Sequence, residues 1–230
     1  MRNIIRTLAG AAAVASIVAL GAGAAGASTP PQTTKNTTAQ CRAALNCVTP
    51  DVLNSTDNVA NDELALDAGT FRNARVWTRV KDGTSPRQDW EFIFHGTVGA
   101  LFNEGVNPYG ITSQDVATYG NDEVFQLRKT PFGSTSTDVC LSNTALKGVR
   151  LRHCALNANQ NFIAASVVNT QPNPDSDGVW GLSLVPDVTS PAGHDALQGN
   201  GEDARVTIHD PQTINRQSWD AEDSPVSLLG

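Results

Sequence analysis

Beyond residue 46 the chain is a succession of short apolar or alternating runs, three to seven residues long, each followed by turn chemistry. Such runs, bounded by Gly, Pro, Asn and Asp, predict strands. The first group is Cys47–Leu53, Glu63–Leu66, Arg75–Val80 and Trp90–Phe94. The second is Glu123–Arg128, Val139–Leu141, Val149–His153 and Phe162–Ser166. The third is Val179–Val185, Ala196–Gln198, Arg205–His209 and Ser218–Ala221. Lys81-Asp82-Gly83, Thr130-Pro131-Phe132-Gly133 and Pro191-Ala192-Gly193 separate strands as turns. No segment carries the 3.6-residue period of an amphipathic helix, so the expectation is an all-β domain.

The three groups share one internal pattern. Gln88-Asp89-Trp90, Gln160-Asn161-Phe162 and Gln217-Ser218-Trp219 close them. Ala65-Leu66-Asp67, Cys140-Leu141-Ser142 and Ala196-Leu197-Gln198 precede those glutamines by 23, 20 and 21 residues. Between them lie Val76-Trp77-Thr78, Val149-Arg150-Leu151 and Val206-Thr207-Ile208. Three copies of one unit imply a threefold-repeating fold. The glutamines stand 72 and 57 residues apart, and the uneven spacing places insertions at 95–122 and 169–177. Long inserted loops are common carriers of function.

This unit resembles the repeat of the ricin-B-type β-trefoil, which has a Cys-Leu-Asp element, a Val-x-Leu strand, a second Cys and a Gln-x-Trp close. The middle copy matches best, through Cys140-Leu141, Val149-Arg150-Leu151-Arg152-His153-Cys154 and Asn159-Gln160-Asn161-Phe162. Ala65 and Ala196 replace the first Cys in the flanking copies. The resemblance runs from Asn46 to Ala221 and implies a β-trefoil over 46–230 with inserted loops. Trp90, Phe162 and Trp219 are then expected in a shared core, and each preceding glutamine is expected to satisfy turn backbone.

The first 27 residues are a separate object. A basic start at Arg2 and Arg6, an apolar run from Leu8 to Leu20 and the small-residue exit Ala25-Gly26-Ala27 match a secretory signal peptide. Residues 28–45 are polar and rich in Thr and Pro, and read as a flexible leader. The expected destination is extracellular, with no membrane association after cleavage. The chain has 16 basic and 23 acidic residues, a formal net charge of −7, and loss of Arg2 and Arg6 deepens it by two. Acidity of this size argues against nucleic acid and anionic membrane as partners.

Four cysteines in an exported chain point to two disulfides. Of three possible pairings, Cys41–Cys47 with Cys140–Cys154 is the expected one. The second bridge closes a loop of about 15 residues and, as the resemblance implies, clamps the second strand of the middle repeat to the third. No Cys-x2-Cys spacing supports a zinc site, and no metal or cofactor is expected.

Sugar-binding members of this class combine an Asp after the Cys-Leu element, an aromatic platform and a polar Asn-Gln close, because a sugar offers one apolar face and a rim of hydroxyls. Carried over by position, repeat one keeps Asp67 and Gln88, has Trp77 near the platform position, and has Arg87 for the Asn. Repeat two keeps Asn159 and Gln160 but has Ser142 and Arg152 at the other two positions. Repeat three has Gln198, His209 and Arg216 and retains only Gln217. The sequence therefore names Asp67, Trp77 and Gln88 as the candidate carbohydrate site, with Asp67 expected at a solvent-facing turn.

An enzyme reading finds little purchase. His95, His153, His194 and His209 form no recognisable triad or ligand pattern, and His194-Asp195 reads as a solvated pair in a loop. Glu91, Glu104, Asp115, Asp122 and Glu123 could supply a glycosidase carboxylate pair only through a geometry that sequence does not contain. The expectation is a non-catalytic carbohydrate-binding protein. The alternative is a protein-interaction module or inhibitor that presents the 95–122 loop to a partner.

Overall fold

A computed structural model describes residues 48–53, 63–105, 107–132, 138–144, 148–166 and 178–222. Cys41 and Cys47, the signal and leader segments and the 169–177 insertion lie outside the described residues. Thirteen strands fall in three groups of four, the third group's third strand being interrupted. Repeat one holds β1 (Thr49–Leu53), β2 (Glu63–Ala68), β3 (Val76–Val80) and β4 (Trp90–Thr97). Repeat two holds β5 (Glu123–Lys129), β6 (Val139–Thr144), β7 (Gly148–His153) and β8 (Phe162–Ser166). Repeat three holds β9 (Val179–Pro186), β10 (His194–Gln198), the broken pair β11 (Ala204–Arg205) and β12 (Thr207–His209), and β13 (Asp220–Glu222).

The outer strands of each repeat close into one barrel. β4 pairs with β5, β5 with β8, β8 with β9 and β13 with β1. The bridges Val48–Trp90 and Val179–Trp219 complete the ring. The inner strands form three hairpins, β2–β3, β6–β7 and β10–β12. These join one another through Arg75–Arg150, Thr207–Gly148 and Ala204–Thr78. A six-stranded barrel capped by a triangle of hairpins is a β-trefoil, and each predicted strand is present within a few residues of its expected bounds.

The repeated triplet acts as the sequence implied. Each glutamine donates through Nε2 to the carbonyl ending the third strand: Val80 at 2.9 Å, His153 at 2.7 Å and Asp210 at 3.0 Å. Each accepts through Oε1 from an amide two residues further on: Asp82 at 2.7 Å, Ala155 at 2.7 Å and Gln212 at 2.6 Å. Both turn groups would otherwise lack a partner, a costly state in a buried turn. Trp90, Phe162 and Trp219 are buried in one core with Leu66, Leu141 and Leu197. The two indoles donate to the carbonyls of Leu66 and Leu197 at 2.8 and 3.1 Å, a bond that Phe162 cannot make. Cys140 and Cys154 form the expected disulfide, Cα atoms 4.9 Å apart.

The 95–122 segment departs from the expectation of a helix-free loop. His95 to Thr97 extend β4, and two short helices follow, α1 (Val98–Asn103) and α2 (Ser113–Tyr119). Six and seven residues are too few for a helical period to emerge from sequence. Thr112 and Asp115 form a reciprocal capping box at the start of α2. Val98, Leu101, Tyr109 and Ile111 pack on Val124, Ile163, Leu182 and Leu184, the outward residues of β5, β8 and β9. Those strands are thereby buried on both faces, which explains why β5 is buried from Val124 to Lys129 instead of alternating.

Candidate functional site

The threefold frame gives each repeat an equivalent surface position, and the three positions have different fates. In repeat one, register places Asp67 opposite Trp77, and Gln88 follows Arg87, which binds Asp67. Asp67 is not at a solvent-facing turn, however. It sits within β2 and is only 2% exposed, because Leu64 to Ala68 are all buried. Its Oδ1 receives Arg87 Nε at 2.9 Å and Nη2 at 2.8 Å, with Arg79 Nε at 3.7 Å. Arg79 also reaches Asp203 at 2.8 Å. The Arg205 guanidinium lies 5.5 Å from the Trp77 ring centre, a cation–π distance that occupies the aromatic face. Gln88 spends its amide on the turn. Repeat one's polar groups are thus engaged by the chain's own residues.

Repeat three is likewise closed on itself. Gln198 donates to Asn200 at 2.8 Å and accepts from Gln217 at 2.9 Å. Asn200 donates to Thr207 Oγ1 at 2.6 Å, and the His209 ring meets the same hydroxyl at 2.8 Å.

Repeat two opens into a cavity of about 660 Å³. It is lined by Ser142, Asn143 and Thr144 of β6 and by Asn157, Asn159 and Gln160 of the turn before β8. Arg152 on β7, Arg72 from the repeat-one loop, and Asp187 and Asp195 from repeat three complete the lining. Hydrogen bonds tie the β6 side to the fold. The Asn143 backbone N–H donates to the Asn159 carbonyl at 2.7 Å, and its side-chain amide donates to Ser183 Oγ at 3.0 Å. Asn161 donates to the Asn157 carbonyl at 2.6 Å. Amide, hydroxyl, guanidinium and carboxylate groups within one volume offer donors and acceptors to a polyol, without an aromatic platform.

The His194-Asp195 pair is not solvated. Both residues are buried, at 2% and 5% exposure. His194 Nε2 meets Asp115 Oδ1 at 2.7 Å, which pins α2 to β10 beside the cavity wall. Burial alone would raise the Asp115 pKa, yet the bonds from His194 and Thr112 bring it below the usual carboxylate value. Burial alone would lower that of His194, yet the Asp115 carboxylate holds it above the ordinary histidine value. Glu91 is likewise bound, to Arg128 Nε at 2.9 Å.

Arg72, Asp187 and Asp195 escape a sequence reading that takes repeats one at a time, since the cavity draws on all three. The one available signal was that repeat two alone keeps both Asn159 and Gln160.

No protein-family model matches the chain. No curated protein matches it either. Among solved structures, the chain is similar to a designed threefold-symmetric protein, ThreeFoil, at 12% identity and TM-score 0.42, over 75% of this chain and 96% of that one. It is also similar to the β-trefoil lectin of the Vibrio vulnificus hemolysin/cytolysin, solved with N-acetyl-D-lactosamine bound, at 17% identity and TM-score 0.44, over 79% and 97% of the two chains. A mosquitocidal holotoxin aligns at 10% identity and TM-score 0.46 over 80% of this chain but only 18% of its own length. The β-trefoil assignment stands on the strand pairings, and the chain is a three-repeat β-trefoil with a polar cavity at its second repeat.

Proposed function

We propose that this protein is a secreted, non-catalytic carbohydrate-binding protein, a divergent relative of the ricin-B-type trefoils, and that repeat two does the binding. The observation that carries the reading is the polar cavity of about 660 Å³ at the repeat-two position. A volume of that size suits a mono- or disaccharide. Asp187 and Asp195 would accept sugar hydroxyls, while Asn159 and Arg152 would donate to ring and exocyclic oxygens. The reading calls for no metal or cofactor. Repeat one, with Asp67, Trp77 and Gln88, would need Arg87, Arg79 and Arg205 to move aside first.

Supporting export are the Arg2/Arg6 start, the apolar run and the Ala25-Gly26-Ala27 exit, with residues 28–45 as a leader to the domain. The interaction-module reading draws less support, because α1 turns Val98 and Leu101, and the segment before α2 turns Ile111, inward onto the barrel.

The test is calorimetric titration of the chain and of Asn159→Ala against a panel of mono- and oligosaccharides. Some saccharide is expected to bind, and Asn159→Ala, exposed and outside the core, should weaken it about tenfold with an unchanged melting temperature. Absence of binding across the panel, or equal binding by the variant, would count against the assignment.

A further inference from the structure

Four arginines meet where repeat one abuts repeat two. The residue before β3 meets β7 at the bridge Arg75–Arg150, which sets two guanidinium-bearing residues directly opposite one another. Arg150 and Arg152 lie on the same face of β7, since Leu151 between them is fully buried. Asn73, held at φ 68° where asparagine is tolerated, ties them together. Its carbonyl accepts from Arg150 Nη1 at 3.3 Å and its side-chain oxygen accepts from Arg152 Nη1. Arg72, the preceding residue, lines the cavity alongside Arg152.

The cluster lacks a counter-charge. Arg79, Arg87, Arg128 and Lys81 each meet a carboxylate. Among the described residues none is within ion-pair distance of Arg72, Arg75, Arg150 or Arg152, and their shared partner Asn73 is neutral. Like charges directly opposite in an antiparallel pair are destabilising. In a chain of net charge −7, Arg72 and Arg152 bring this unpaired positive charge to the cavity lining, with Arg75 and Arg150 adjoining them.

We propose that the ligand of this cavity is an anionic saccharide, one bearing a carboxylate or sulfate that docks on the arginine rim. The inference rests on the carbohydrate reading above and names its substrate class. Guanidinium groups pair with carboxylate and sulfate through two parallel N–H···O bonds, which point charges do not match. Asp187 and Asp195 line the same cavity and repel a second anion there. That repulsion, with the overall acidity, disfavours a densely charged phosphate backbone. A long-chain polyphosphate would meet repulsion along most of its length, whereas a sugar unit carries its charge at one ring position.

The experiment titrates the full chain with size-matched short oligosaccharides that carry one galacturonate carboxylate, one sulfate ester or no charge, and with single-stranded DNA, in low and high salt. A charged oligomer should bind at least about tenfold tighter than the neutral one at low salt, and high salt should erase most of that advantage. The arm that binds distinguishes carboxylate from sulfate. Arg150→Gln with Arg152→Gln should abolish the preference. Arg75→Gln should weaken charged oligomers while holding or raising the melting temperature, because it removes a like charge, so lost binding would not reflect lost folding. Equal binding of neutral and charged oligomers would overturn the proposal and leave the carbohydrate reading standing. DNA binding as strong as any saccharide's would overturn it as generic polyanion attraction. Binding to none of these and to no saccharide would overturn both.

Discussion

Asp67 and Trp90 separate two jobs that the repeat signature alone does not distinguish. Trp90 is fully buried and its indole donates to Leu66 O at 2.8 Å, so Trp90→Ala removes core volume and strands a carbonyl. Chemical denaturation should report a loss of about 3–5 kcal/mol. Asp67→Ala was expected to spare stability as a solvent-facing change. Buried beneath Arg87, it should instead cost about 1–3 kcal/mol, moderated because Arg87 and Arg79 are roughly half exposed and can turn to water. A variant as stable as the wild type would contradict the buried ion pair. The glutamines were legible because their task is local, two bonds across one turn. The burial of Asp67 was not, because Leu64, Ala65, Leu66 and Ala68 flank it in a run too continuous to reveal which face is covered.

At the scale of elements, strands were legible where turn residues bound them, and the two helices were not. The helices are held by tertiary contacts: Val98 and Leu101 on the barrel wall, and Asp115 on His194. No local period announces such an attachment. The latch has a pH signature. The folded pKa of Asp115 is depressed, so its contribution is present above the ordinary carboxylate value of about 4 and is lost as pH falls through the folded value. That of His194 is raised, so its contribution is complete below about 6.5 and fades as pH rises through the folded value. The pair therefore stabilises most between about pH 4 and 6.5. Asp122, whose carboxyl burial pushes up, acts in the opposite sense, and comparison with a variant cancels it. Melting temperatures across pH should show His194→Gln losing the decline above pH 6.5 while keeping an acid-side decline. Parallel profiles for the two proteins would mean that the latch contributes nothing.

For the whole molecule, three units of one pattern close a barrel, and departures from symmetry decide which surface is free. Repeat one fills its position with Arg87, Arg79 and Arg205, and repeat three with Asn200 and Thr207. Repeat two holds a polar cavity lined in part by residues from both neighbours. The threefold plan was readable from Gln88, Gln160 and Gln217 and their upstream leucines. The cavity was not, since Arg72, Ser142, Asn159 and Asp195 come together only when the repeats close. The most direct test of this account is a backbone amide chemical-shift map recorded while a bound saccharide is titrated in. The account predicts shifts centred on Ser142, Asn143, Asn159 and Asp195, with Arg72 and Arg152 at the edge. Shifts centred instead on Asp67, Trp77 and Gln88 would return the site to repeat one and contradict it.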